Sequence, residues 1–169
     1  MRNNYFGENM KSLVIYYSLT GKTKLVSEII AEALDSALLE IEETSLRKLG
    51  HLTYLTGAFA AITNRGSKIN PIDIDLEQIE TIFIGSPIWA SRPTPAINSF
   101  IYQTNFEGKS VIPFLTMGGD KSDKALKNIT TKIEKRRGQV ISSFTIQTYN
   151  FTDDEVRAKS KDAIKEYLK

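Results

Sequence analysis

Cysteine is absent from this 169-residue chain. Its absence excludes disulfides, thiolate metal sites, iron–sulfur clusters and cysteine nucleophiles, and it makes a reducing cytoplasm the expected location. Histidine occurs once, at His51, so no histidine cluster is available for zinc or non-haem iron. No Ser-His-Asp constellation or carboxylate pair suggests hydrolysis. Long apolar runs are missing as well. Leu13 to Tyr17 and Ala58 to Ile62 hold five residues each, against the ~20 that a membrane-spanning helix needs. The first nine residues are polar and lack the apolar segment of a signal peptide. Met10 stands just before the first apolar run, so residues 1–10 read as an N-terminal extension outside the fold and 11–169 as one domain.

What remains is ordinary for a globular protein: 41% hydrophobic and 25% charged residues. A chain of this length buries roughly 68–70% of its unfolded surface, enough for one substantial core. The net charge is only +2 but unevenly spread, with six acids and no base between Glu28 and Glu43. From Lys121 to Arg137 there are seven bases against two acids. That basic segment also carries Ala125, Leu126, Ile129 and Ile133 at helical spacing. A solvated helix face therefore explains it better than nucleic-acid binding.

Short β-type runs alternate with helical patterns, which predicts an α/β fold with a mainly parallel sheet. Strands are expected at Leu13–Tyr17, Leu38–Glu43, Thr81–Ile84 (ending at Gly85), Val111–Leu115 and Val140–Thr148. Pro113 removes a ladder donor from the fourth and demands a bulge or an unpaired position there. Leu25, Val26, Ile29, Ile30, Ala33 and Leu34 mark a clear helix after the first strand. Leu49, Leu52, Leu55, Phe59 and Ile62 suggest a second, weakened by Gly50 and Gly57. Helices at Pro95, near Lys121 and from about Thr152 follow the later strands, the last burying Val156, Ala163, Ile164 and Leu168. His51 falls on the weak second helix, where a solvent-facing side chain is the simpler reading.

In an open parallel sheet, ligands bind beyond the carboxyl ends of the strands. The segment Ser18-Leu19-Thr20-Gly21-Lys22-Thr23 lies there, between the clearest strand and the clearest helix. A phosphate at that point meets free N–H groups and the positive end of the helix dipole. Three hydroxyls around one glycine exceed what helix capping needs. The Gly-Lys-Thr triplet is not a nucleotide-triphosphatase loop, because Tyr16 stands where that motif needs glycine. The second segment, Ser86-Pro87-Ile88-Trp89-Ala90, holds the only tryptophan, a flat surface for a planar ligand. The third, Thr116-Met117-Gly118-Gly119-Asp120, pairs two glycines that allow close backbone approach.

In order and spacing these three segments resemble the FMN-binding loops of the flavodoxin family, and the resemblance extends over essentially residues 11–168. It implies a doubly wound five-stranded parallel sheet, strand order 2-1-3-4-5, with helices on both faces; this order is itself a standard illustration of the switch-point rule. It implies FMN as cofactor, with residues 18–23 on the ribityl phosphate and Pro87 to Ala90 against the isoalloxazine. Trp89 is then a stacking partner, and Gly118, Gly119 and Asp120 border the pyrimidine edge or the opposite flank. Asp120 either accepts from a flavin N–H or caps the helix that follows.

Two departures from the family pattern stand out. The sequence pI is about 8.7, whereas electron-carrying flavodoxins are typically acidic. Weaker docking to basic partners and a less negative potential for the second electron are the expected consequences. Residues 116–120 also carry no aromatic, which leaves one flavin face open unless Tyr149 or Phe151 covers it. Three functions follow from these readings. The first is a monomeric electron carrier between redox partner proteins. The second is an FMN-dependent NAD(P)H reductase acting on a quinone or similar acceptor. The third is a flavin-free phosphate-binding module that keeps the fold.

Overall fold

Leu13, Val14 and Ile15 have no exposed surface at all, as a strand covered on both faces requires. They lie in β1 (Ser12–Tyr16), which pairs in parallel with β2 (Ala37–Glu40) on one side and β3 (Thr81–Trp89) on the other. A computed structural model describes residues 11–44, 66–72, 74–119 and 121–167 of the protein. The predicted helix at Leu49–Ile62, with His51, lies outside the described residues, as do Asp120 and Leu168.

β3 also pairs in parallel with β5 (Ser110–Met117), and the main path through the sheet runs β2-β1-β3-β5-β6. The remaining edge, predicted as one strand from Val140 to Thr148, consists of β6 (Gln139–Val140) and β7 (Phe144–Gln147), both parallel to β5. Counting that edge as one strand, and setting aside the two-residue ribbon β4 (Arg92–Pro93) on β3, the order is the expected 2-1-3-4-5. Pro113 explains the break. The carbonyls of Val111 and Met117 accept from Ile141 (3.2 Å) and Thr148 (2.9 Å), so odd-numbered residues of β5 face this edge. The missing N–H of Pro113 points the same way. Opposite it the edge takes five residues, Val140 to Phe144, to pass four of β5, Val111 to Phe114. One extra residue is thus absorbed as a bulge where no donor exists.

Helices cover both faces. On one, α1 (Lys22–Leu34) and α4 (Asp153–Ile164) bury Val26, Ile30, Val156 and Ile164 against Val14, Phe83 and Ile112. On the other, α2 (Pro95–Gln103) and α3 (Asp123–Glu134) bury Ile97, Ile101, Ile129 and Ile133 against Ile15, Ile84 and Leu115. Alternation along each strand sends neighbours to opposite layers, and each such aliphatic side chain contributes about 1.5–3 kcal/mol on burial. The apolar stripe of α3 faces the sheet as its spacing predicts, but Lys132 is not on the solvated side. Its Nζ donates to Asn98 Oδ1 at 2.6 Å, and burial, with Arg92 second, lowers its ammonium to about 8. Among the described residues, no helix is long and apolar enough to cross a membrane.

Candidate functional site

The α1 N-terminus differs from that of α4 in what its own chain does for it. α4 closes its first turn with a capping box: Thr152 Oγ1 accepts from the Glu155 N–H (3.3 Å), and Glu155 Oε2 accepts from the Thr152 N–H (2.7 Å). Asp153 and Asp154 add negative charge at the same end. α1 has no side-chain cap and no acid in its first turn. Its cap residue is Gly21 at φ +84°, and a Cβ there would meet nothing within 4 Å. Only the Gly21 N–H is engaged locally, donating to Ser18 Oγ at 3.1 Å. The N–H groups of Leu19, Thr20, Lys22 and Thr23 meet no acceptor among the described residues. A left-handed glycine thus leaves several donors unpaired at one point of the chain, the positive end of a 13-residue helix.

That point opens into a cleft of about 430 Å³, inside the ~300–1,000 Å³ range of small-molecule sites. The predicted segments meet in it. Leu19, Thr20, Lys22 and Thr23 form one side, and Pro87, Ile88 and Trp89 a second. Thr116, Met117 and Gly118 form a third. Thr23 and Thr116 are buried and share a hydroxyl hydrogen bond of 2.7 Å, which fastens the first turn of α1 to the end of β5. Lys22 lines the cleft, but its ammonium pairs with Asp153 at 2.7 Å. That hydrogen bond, and then the charge of Lys22, lower the Asp153 carboxyl below its usual range. The donors facing the opening are therefore mostly neutral: amides and hydroxyls.

Other predicted site residues are not part of the cleft's lining, among them Gly21. Ser86 is fully buried, and its Oγ accepts from the Thr94 N–H at 3.0 Å, tying β3 to the start of α2 rather than facing the cleft. Ser18 lines an adjoining groove instead. Ala90 and Gly119 do not line the cleft. β3 does not end at Gly85 as its sequence suggests; it continues to Trp89 and folds back onto β4. The reversal places Ala90 (φ +47°) and Ser91 (φ +59°) in left-handed conformations, the backbone of a type I′ turn without its usual Asn or Gly. Each such residue stores about 1–2 kcal/mol. Trp89 is held as well as displayed: it packs partly on the core and meets Tyr17 edge-on at 5.9 Å.

The cleft also takes in Thr148 and Tyr149, from the segment after β7. No motif marks them, and only the parallel pairing of β7 with β5 brings them alongside Met117 and Gly118. Beyond Leu19 the adjoining groove is lined by Glu40, Glu42 and Glu43. Tyr17 donates to Glu43 at 3.0 Å and Tyr16 to Glu40 at 3.0 Å, while Lys24 lies 3.7 Å from Glu40. Burial, then the bond to Glu40, pushes the Tyr16 phenol well up, so it stays a donor. The run of acids seen in the sequence is thus partly placed in the groove that adjoins the cleft at Leu19, whatever the net charge.

A doubly wound parallel sheet with an uncapped helix N-terminus and an aromatic-walled cleft at its switch point is the architecture of a flavoprotein of the flavodoxin type. The chain belongs to the flavodoxin family, whose model matches residues 11–149. A Bacteroides uniformis protein assigned as a flavoprotein superposes with a TM-score of 0.73 at 26% identity, over 91% of this chain and 99% of that one. A Lactobacillus acidophilus flavoprotein solved in complex with FMN gives a TM-score of 0.70 at 25% identity, over 90% of this chain and 99% of the other. Oxidised flavodoxin 2 from Bacillus cereus shares the fold, with a TM-score of 0.57 and 17% identity over 91% of this chain and 95% of its own. No curated protein sequence matches the chain.

Proposed function

We propose that this protein binds FMN in the cleft beside α1 and carries electrons between redox partner proteins. The observation that carries the reading is the α1 N-terminus, which leaves the amides of Leu19, Thr20, Lys22 and Thr23 to a ligand at the edge of an aromatic-walled cleft. The residues present fit FMN: neutral donors and a helix dipole suit its phosphate, and Trp89 and Pro87 suit a planar ring. When bound, FMN supplies one- and two-electron chemistry that no side chain of this chain possesses. The protein's own work is to hold the phosphate, to keep water off the ring through Trp89 and Ile88, and to leave an edge accessible. Of the predicted binding residues, we assign direct roles to Leu19, Thr20, Lys22 and Thr23 at the phosphate, with Gly21 shaping the turn that presents them. Pro87, Ile88, Trp89, Met117 and Gly118 are assigned to the ring.

The carrier reading is favoured over the reductase by Glu40, Glu42 and Glu43 in the groove next to the cleft. Carboxylates there oppose the phosphates of a nicotinamide dinucleotide and attract a cationic protein surface. The distinguishing experiment is anaerobic. FMN-loaded protein mixed with NADH or NADPH alone is expected to stay yellow, and to bleach once a catalytic amount of a flavoprotein reductase is added. Rapid bleaching by the nucleotide alone makes it a reductase, and a protein that takes up no FMN has neither function.

A further inference from the structure

A second cavity, also about 430 Å³, lies between α2 and α3 and shares no residue with the cleft. It sits at the other end of the sheet. The cleft takes in Met117, where β5 ends. Arg136, which lines the second cavity, instead accepts through its carbonyl from the Phe106 N–H (2.9 Å), shortly before β5 begins. Buried Ile101 forms part of its floor, and Tyr102 lines it while 76% exposed.

Three cations line this cavity, Lys132, Lys135 and Arg136, and no acid does so among the described residues. A helix C-terminus favours cations at its exposed end, but that does not account for how these are held. Lys132 is turned inward, where its Nζ donates to Asn98 Oδ1 at 2.6 Å across the α2–α3 interface. Burial, then Arg92, lowers it to about 8, the direction expected of an ammonium kept from water beside another cation. Arg136 donates through Nε to the carbonyl of Thr104 at 3.0 Å and lies over the Tyr102 ring at 5.7 Å. Its guanidinium is thus fixed at the end of α2, while its Nη groups meet no acceptor among the described residues. The Lys135 ammonium likewise meets none there. Like charges one helical turn apart repel, so the cluster holds a positive excess above an apolar floor.

From this convergence we propose that the cavity between α2 and α3 is a second ligand site, which takes a phosphate monoester with a small apolar body. The phosphate lies among Lys132, Lys135 and Arg136, whose charges suit a dianion. The body rests on Ile101 and against the Tyr102 ring. This site does not rest on the FMN reading, because the two cavities have no residue in common. Lys135 and Tyr102 are exposed, so replacing either leaves the fold intact and changes only the site.

The test titrates phenyl phosphate, inorganic phosphate and phenol into FMN-saturated protein, which keeps phosphate out of the cleft, and follows backbone amide signals by NMR. Phenyl phosphate is expected to bind saturably and to shift signals of α2 and α3. Inorganic phosphate and phenol should each bind at least about tenfold more weakly, since each makes only half of the contacts. Lys135→Gln should weaken phenyl phosphate about tenfold, and Tyr102→Ala about fivefold, both with the thermal midpoint of wild type. Tyr102→Ala should leave inorganic phosphate unaffected. Phenyl phosphate that does not saturate, a Kd unmoved by Lys135→Gln, inorganic phosphate binding as tightly as the ester, or shifts confined to the cleft overturns the inference and leaves the FMN reading standing. Protein that takes up no FMN is titrated as apoprotein with the same losses expected at α2 and α3, so that failure touches the FMN reading alone.

Discussion

Replacing Thr20 with aspartate is expected to weaken FMN binding about 100-fold, or ~2.7 kcal/mol, without harming the fold. Thr20 is exposed and sits one residue before the Gly21 cap, among the amides that face the cleft. A carboxylate there opposes a phosphate dianion at close range. At 4 Å and an effective dielectric near 20, each unit-charge pair costs ~4 kcal/mol, so 100-fold requires only part of that repulsion. The same carboxylate complements the positive end of α1, which has no acid of its own, so the apoprotein should melt at or slightly above the wild-type temperature. These opposite signs separate a binding effect from damage to the fold. Titration of the apo variant with FMN and a thermal melt of the same sample check both. A Kd within threefold of wild type would mean that the phosphate binds elsewhere.

The largest expected loss of stability is at Gly85→Ala, a change of one methyl group. Gly85 lies in β3 with Tyr16 and Phe114 as its neighbours across the sheet. A Cβ there would lie 2.3 Å from Cζ of Phe114 and 2.7 Å from its Cε2. Phe114 cannot give way: it is fully buried and stacked on Phe144 at 5.6 Å with an interplanar angle of 11°. Overpacking against a ring so confined should cost ~3 kcal/mol in denaturant unfolding, the upper part of the usual range. Shrinking the ring in Gly85→Ala/Phe114→Leu should make the pair more stable than the two single losses added together, because the changes share one space. Additive losses would show that Gly85 matters for another reason.

These two glycines also mark how far the sequence could be read. Gly21 sits between an unbroken apolar strand and a strongly periodic helix, so the local pattern alone predicts the turn there and the start of α1. Gly85 reads as a strand end because Ser86 and Pro87 follow it. The strand nonetheless continues, since Ser86 turns inward to hold Thr94 and Pro87 pairs in register with Thr116. The hairpin at Ala90 and Ser91 carries no turn signal at all; its strained backbone is imposed by the pairing of β3 with β4. Tyr149 is legible only as one of two candidates, with Phe151, for covering the face that residues 116–120 leave open. Its place in the cleft depends on β7 lying beside β5, a tertiary fact that no local spacing encodes. The break in the edge strand is traceable in retrospect to Pro113, whose missing donor sits on the opposite strand. Charge was the least readable property. A net charge of +2 suggested little acidity at the site, whereas folding gathers Glu40, Glu42 and Glu43 beside it.

The central claim is that α1's unused amides hold the ligand by its phosphate. Calorimetric titration of the wild-type apoprotein with FMN and with riboflavin, which differ only in that phosphate, tests it most directly. FMN is expected to bind at least about 100-fold more tightly, as several amide and hydroxyl bonds to a charged group require. Equal affinities for the two would contradict the account.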